Sequence, residues 1–387
     1  MKKMAYILVI LVSVIAILVI VKVGWVALAT SRHGSFEGEK KEIIFRANYL
    51  ISKVATSPQE LLEEMPSGID RQFQGEWALY TCSMTCAALT NIAKLYPQNK
   101  DLSIKYISEI IDIAMSPELR EYDYLRWGED PLDGIYGDLS HISYYSHLAW
   151  MISGYKQIGG DGKYDDIYHS LCKAMNRRIS QSPDLNLPTY PGESVYLPDM
   201  LVAIVALSNY SHQNHDEYTT TVKMWVEKAK TEWLDKNTGM LVSFLPEEDL
   251  LKGSYSALNC YYLTFIDKDF AKDQYDRLKK YFLQTKLVIG FKEYYDRSCW
   301  LGMDIDAGPV ILNLSSSGTA FALGPATFFN DTETRKGLLR TAEIAGSTIT
   351  WFGKSHYLLA NVALVGEAIT LAMRTTISYN KKDSYNE

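Results

Sequence analysis

The chain has 387 residues, 47% apolar, 12% aromatic and 22% charged, a composition that excludes a mainly disordered protein. Its formal net charge of -7 argues against nucleic acid as the main partner, because phosphate binding needs a basic face. Five cysteines, none in a CxxC, CxxH or HxxxH pattern, argue against a zinc module or a disulfide scaffold.

Lys2 and Lys3 precede an uncharged, apolar run over residues 4–21; Lys22 interrupts it, and 23–30 follows. At 1.5 Å per residue the run spans about 27 Å as a helix, enough to cross a hydrocarbon core. Lys22 suits snorkelling toward headgroups, and Trp25 suits an interfacial position. Residues 1–30 therefore read as a transmembrane anchor, single-pass in the cell membrane. A cleaved signal peptide is the alternative, since Ala27-Leu28-Ala29 has a small-x-small pattern, and the domain would then be secreted or periplasmic. In both cases the basic N-terminus stays inside and the domain lies on the extracytoplasmic side. Residues 31–40 (SRHGSFEGEK) read as a polar linker and 376–387 as a polar tail.

Between them, 41–375 reads as one domain dominated by helical periodicity. Helices are predicted over 41–55, 58–65, 75–95, 102–115, 140–158, 163–180, 196–212, 216–235, 254–266, 268–284, 317–329, 332–350 and 355–375. Ser57-Pro58 marks a helix start, and Asp267 and Asp331 stand where N-caps belong. Segments 201–207 (LVAIVAL) and 358–373 have the composition of helices buried on most sides. The more polar 216–235 and 268–284 read as an outer layer. About a dozen helices alternating in this way predict an all-α fold, an (α/α)6 toroid of six inner and six outer helices.

Four connections are long: 116–139, 181–195, 236–253 and 285–316. Long loops in a compact domain are usually functional. Loop 120–139 (REYDYLRWGEDPLDGIYGDL) offers Asp123, Glu129, Asp130, Asp133 and Asp138, with Trp127 and Tyr136 as stacking platforms. His141, Tyr144, Tyr145 and His147 follow at the start of helix 140–158. Loop 187–199 (LPTYPGESVYLPD), stiffened by Pro188, Pro191 and Pro198, presents Tyr190, Glu193, Tyr196 and Asp199; Asp199 equally reads as the N-cap of the next helix. Within 294–326, Asp304 and Asp306 are two apart and in extended backbone face the same way, about 6–7 Å from each other. The bland reading has one of them capping a helix and the other pairing with Arg297. Residues 315–318 form a small-residue turn that opens the next helix.

The catalytic candidates are Asp304, Asp306, His147 and Glu76, converging at the mouth where inner helices begin. Trp127, Tyr136, Tyr145, Tyr190, Tyr196, Asp199 and Trp300 are the candidates for substrate contact. Cys82 and Cys86, one helical turn apart, read as buried core. No metal site and no cofactor is expected.

Several of these pieces resemble the linalool dehydratase/isomerase family. Gly134-Ile135-Tyr136, then Tyr145-Ser146-His147-Leu148 and Ser153-Gly154-Tyr155, are similar to the family's segment carrying its active-site histidine. Pro191-Gly192 with Val195-Tyr196 is similar to its proline-glycine loop. The resemblance implies an (α/α)6 fold, cofactor-free acid/base chemistry outside the cytoplasm, and an active-site role for His147. In the family that loop carries two functional cysteines. Here Thr189 occupies the first place and Pro198 or Asp199 the second, so thiol-assisted chemistry does not carry over.

The sequence thus predicts a membrane-anchored enzyme that dehydrates or isomerises a hydroxylated small molecule by acid/base chemistry. The alternatives are a glycan-processing hydrolase or lyase, and a non-catalytic membrane-anchored binding protein. The partners expected are the membrane, through residues 4–21, and a small-molecule or glycan substrate.

Overall fold

The computed structural model describes residues 2–31, 33–66, 70–215, 217–246, 251–286, 288–304, 307–361 and 363–378. The chain is mostly helical. It begins with α1 (Lys2–Ala29), α2 (Phe36–Val54), α3 (Pro58–Glu63), α4 (Arg71–Leu95) and α5 (Lys100–Ala114). Next come α6 (Pro117–Trp127), α7 (Ile142–Gln157), α8 (Asp165–Gln181), α9 (Leu197–Gln213) and α10 (Thr219–Thr231). The last are α11 (Gly253–Ile266), α12 (Lys268–Phe282), α13 (Ser316–Phe328), α14 (Thr332–Gly346) and α15 (Leu364–Arg374).

Six of these helices are buried along most of their length, and they are neighbours in order. α4 packs on α7, α7 on α9, α9 on α11, α11 on α13 and α13 on α15, while α15 returns to α4. The reason lies in their sequences: α9 and α11 carry apolar or small residues around nearly the whole circumference, so neither can tolerate a wet face. The remaining helices cover them from outside. α2 lies on α4 and α15, α5 and α6 on α4, α8 on α7 and α9, α10 on α9, α12 on α11, and α14 on α13. α12 shows the outer pattern, burying Phe270, Ala271, Gln274, Tyr275, Leu278 and Phe282 at helical spacing and leaving its lysines to solvent.

Sequence and structure agree at several boundaries. Ser57 forms a full capping box with Glu60, Asp267 and Asp331 accept their expected N-cap hydrogen bonds, and Ser315, in the expected small-residue turn, caps α13. They differ at others. α2 starts at Phe36, capped by Ser35, so the second half of the expected 31–40 linker is helix. Residues 376–378 are buried against the domain and do not belong to a free tail. The expected helix 355–375 is shorter and preceded by a hairpin. The β-branched residues that end the expected helix 332–350 form the first strand of that hairpin.

The largest difference is α6, which occupies the first half of the expected loop 116–139. Ser116 caps it and Pro117 opens it. Its buried face consists of Leu119, Tyr122, Asp123 and Arg126, spaced as a helix requires but half charged, so the apolar periodicity is concealed.

Four small antiparallel sheets decorate the connections. They pair β1 (Val195–Tyr196) with β2 (Phe244–Leu245), and β3 (Leu283–Gln284) with β4 (Gly290–Phe291). A third sheet joins β5 (Leu301–Asp304), β6 (Gly308–Ile311) and β7 (Leu314–Ser315), and a fourth joins β8 (Thr348–Trp351) to β9 (Lys354–Tyr357). β1, β7 and β9 lead toward α9, α13 and α15, so three of the sheets sit at the end of the domain where buried helices begin.

A buried ion network ties α2 to α14 and α15. Arg374 donates to Glu39 Oε2 at 2.7 Å and to both oxygens of Glu42 at 2.8 and 2.9 Å. Arg335 grips both oxygens of Glu39 at 2.6 and 2.9 Å, and Arg46 reaches Glu367 at 2.6 Å.

Candidate functional site

The first turns of α4, α7 and α9, with α6 and the loop before α9, bring together a set of charged and aromatic side chains. Gly75 makes the approach of α6 possible: a Cβ there would stand 2.5 Å from Tyr122 Cβ. That contact brings Arg126 beside Glu76, which accepts from it at 3.3 and 2.5 Å. Tyr190 closes the cluster. Its hydroxyl donates to Glu76 Oε2 at 3.0 Å and accepts from Arg126 at 2.6 Å, and the guanidinium lies 3.9 Å from its ring centroid. Burial and the charge of Glu76 push the Tyr190 hydroxyl well above the usual tyrosine range.

Asp199 sits in the first turn of α9, two residues inside the start at Leu197. It is not the N-cap; that position falls to Tyr196, and Pro198 occupies the first turn. Its carboxylate accepts from Thr189 Oγ1 at 2.8 Å, a bond the stiff loop supplies. Burial raises its pKa to about 7, with the charge of Glu76 adding to the rise while Thr189 and Arg126 oppose it. Asp199 therefore gains and loses its proton around neutral pH, beside an ion-paired carboxylate.

Next to this lies a second pair. His141 Nδ1 is 2.5 Å from Asp123 Oδ2, both groups completely buried. His141 is the residue before α7 and has φ 48°, a left-handed conformation that a β-carbon-bearing residue adopts at a cost. Gly134 passes close to the ring: a Cβ there would be 3.0 Å from His141 Nε2 and 2.7 Å from Glu129 Oε2. Trp127 and Tyr145 flank the imidazole at 5.7 and 5.4 Å between centroids. A neutral imidazole giving Nδ1–H to Asp123 presents its lone pair at Nε2. Among the described residues His141 Nε2, Asp123 Oδ1 and Trp127 Nε1 are buried without a hydrogen-bond partner, although Glu129 Oε2 stands 3.6 Å from Nε2. Unspent polar capacity of this kind is what a site for a polar ligand carries. Burial raises the Asp123 carboxyl, opposed by its bond to His141.

The other expected residues fall in different places. His147 is deep in α7, its Nδ1 2.8 Å from Ser83 Oγ and its ring against Tyr80 at 5.0 Å; burial lowers its pKa to about 3. Tyr80 in turn meets Tyr262 across the gap between α4 and α11, hydroxyl to hydroxyl at 3.4 Å, and the charge of Asp199 acts on both phenols. Tyr145 donates to the carbonyl of Pro131 at 2.6 Å. Tyr196 stacks with Phe244 and Tyr255 at 5.2 and 5.4 Å. Tyr136 is 86% exposed and Trp300 63% exposed, so neither desolvates a carboxyl.

Asp304 ends β5, where its carboxylate accepts from Lys252 at 2.7 Å and from the backbone of Ala307 at 3.0 Å. Arg297, the partner offered by the alternative reading, stacks on Tyr294 at 3.9 Å. Asp306 lies outside the described residues. Cys82 and Cys86 are buried, and burial raises both thiols. Among the described residues no three His, Cys, Asp or Glu side chains come together as a metal-binding group.

Sequence reasoning named Glu76, Trp127, Tyr145, Tyr190 and Asp199, which do gather here, but did not single out Arg126, the Asp123–His141 pair or Glu293. Glu293 is fully buried at the start of α11, accepting from Ser254 Oγ at 2.8 Å and Ser254 N at 3.3 Å, and burial raises its pKa. An i, i+3 pair of opposite charges, Asp123 and Arg126, was the available signal for α6. No protein-family model matches the chain, and a comparison with curated proteins finds no match.

Proposed function

We propose that this protein is a membrane-anchored acid/base enzyme that removes water from, or isomerises, a hydroxylated small molecule. The observation that carries the reading is Asp199, a buried carboxyl next to the Glu76–Arg126 pair, whose pKa of about 7 lets it exchange a proton near neutral pH. In the dehydration, Asp199 protonates the departing hydroxyl while His141 Nε2 takes the proton from the neighbouring carbon. The carbon–oxygen bond breaks, a double bond forms and water leaves. Asp199 ends as carboxylate and His141 as imidazolium held by Asp123, and solvent returns the proton from one to the other. Arg126 fixes Glu76 and Tyr190 so that they line the site in one geometry.

The architecture we infer is an (α/α)6 toroid. The closed order of neighbours α4, α7, α9, α11, α13, α15 supports it, with the outer helices joined to successive members of that circuit. It is the fold implied by the resemblance to the linalool dehydratase/isomerase family, although the histidine favoured here is His141 rather than His147. Among the described residues one helix is long and apolar enough to span a membrane, over Ile10–Ala29 with a mean hydropathy of 2.7, and we read α1 as the anchor with the domain on the extracytoplasmic side.

A glycan-processing hydrolase or lyase is the second reading, favoured by Trp127 and Tyr190 beside two carboxyls. The test is to incubate the purified full chain with a panel of hydroxylated small molecules and, separately, of oligosaccharides. Products lighter by one water support dehydration, and products with shifted retention at equal mass support isomerisation; release of sugars transfers the site to the second reading. Turnover that survives Asp199→Asn overturns the mechanism in either case.

A further inference from the structure

α1 does more than tether the domain. Lys22 Nζ donates to the carbonyl of Glu343 at 3.1 Å and also hydrogen-bonds Ser347 Oγ, while Trp25 Nε1 donates to Glu343 Oε1 at 2.8 Å. Glu343 is in the last turn of α14. At the other end of the same contact, Gly34 lies against Lys336, in the first half of α14. α1 therefore runs alongside α14 with its lysine at the α14 C-terminus, and residues 2–21 project beyond that end. α14 is antiparallel to α13: Arg335 reaches Thr327 at one end, and Thr341 and Thr319 both meet the 289–291 backbone at the other. The end from which α1 projects is consequently the one where α13 starts and where Asp199, His141 and Glu76 lie.

The same end carries an apolar surface that stands exposed among the described residues. In the β5–β6 hairpin Leu301 pairs with Ile311 and Met303 with Pro309, and these side chains share the outward face. Leu301 is 82% exposed and Met303 78%, and Trp300 stands at the foot of the hairpin. The β8–β9 hairpin, which begins just after the Ser347 that holds Lys22, ends in exposed Trp351 and Phe352. Lys292, Arg297 and Asp296 border a depression beside the foot of the β5–β6 hairpin, placing two cations and one carboxylate next to the apolar face.

We infer that the β5–β6 hairpin rests on the bilayer that α1 crosses, so that the end of the domain holding the site faces the membrane surface. This rests on the reading of α1 as an anchor. Three features argue for lipid as the occupant: the projecting apolar helix, an aromatic and aliphatic outward face on the same end, and cations at headgroup level. A substrate reaching the site from that side is an amphiphile that partitions into the membrane.

The test uses the full chain in vesicles of phosphatidylcholine and phosphatidylglycerol. Met303→Cys in a Cys299→Ser background carries an environment-sensitive fluorophore, and Gln98→Cys at the opposite end of the domain carries the same probe. On reconstitution, quenching of the position-303 probe by aqueous iodide should fall several-fold and its emission shift to the blue, with position 98 unchanged. A position-303 probe as accessible as position 98, in protein that stays with the vesicles through an alkaline carbonate wash, overturns the inference and leaves the anchor intact. Protein that leaves the vesicles in the wash overturns both.

Discussion

Burial moves Asp199 up to about 7 and His147 down to about 3, and the two shifts have one origin: an environment poor in water disfavours the charged form of each. Asp199 needs its proton to act as an acid, so turnover should fall as pH rises through about 7, as a pH–rate profile would show. Asp199→Asn should lower the rate about 10²–10⁴-fold, the contribution of a positioned acid, while Glu227→Gln on the exposed side of α10 changes nothing. Asp199→Asn should also raise the thermal midpoint at pH 8. A carboxyl whose folded pKa lies above its unfolded value contributes its stability at low pH and loses it as pH rises, and asparagine removes that loss. Tyr190 and Asp199 were legible because a loop with three prolines holds side chains still. His141 was not, because its importance depends on Asp123, and Asp123 was read as part of a loop.

At the scale of elements, α6 decides whether the site exists. It carries Asp123 and Arg126 on one face, and its only side-chain cap is Ser116, which accepts from Leu119 N at 3.4 Å. Ser116→Ala should cost about 1 kcal/mol in urea unfolding, the usual effect of losing an N-cap. Turnover should fall with it, since fraying α6 loosens Arg126 from Glu76. Helices with apolar stripes were readable to within a few residues: α11 and α12 begin within one residue of their expected starts. α6 was hidden because burial there is bought with ion pairs and not with hydrocarbon. The hairpins before α13 and α15 were hidden for a different reason, since strands of four residues are too short for alternation to declare itself.

For the whole molecule, alternation of buried and solvent-facing helices was visible along the chain, but the partners that close it were not. Glu39 is the plainest case. Burial works to raise its pKa, yet Arg374 and Arg335 outweigh it and hold the group at about 2. A depressed folded pKa gives stability that is present above the unfolded value and lost as pH falls through the folded one, so the domain should weaken between about pH 4.5 and 2, followed by circular dichroism. Arg374→Met should cost about 3 kcal/mol in chemical denaturation, since it takes one of two arginines from buried Glu39 and a two-pronged partner from Glu42. Glu39 and Arg374 are 335 positions apart. During synthesis the first of them leaves the ribosome long before the second exists, and buried Glu39 has neither of its arginines until α14 and α15 have been made. Nascent chains cut short before α15 should accordingly be captured by chaperones or degraded, however many of their helices have formed.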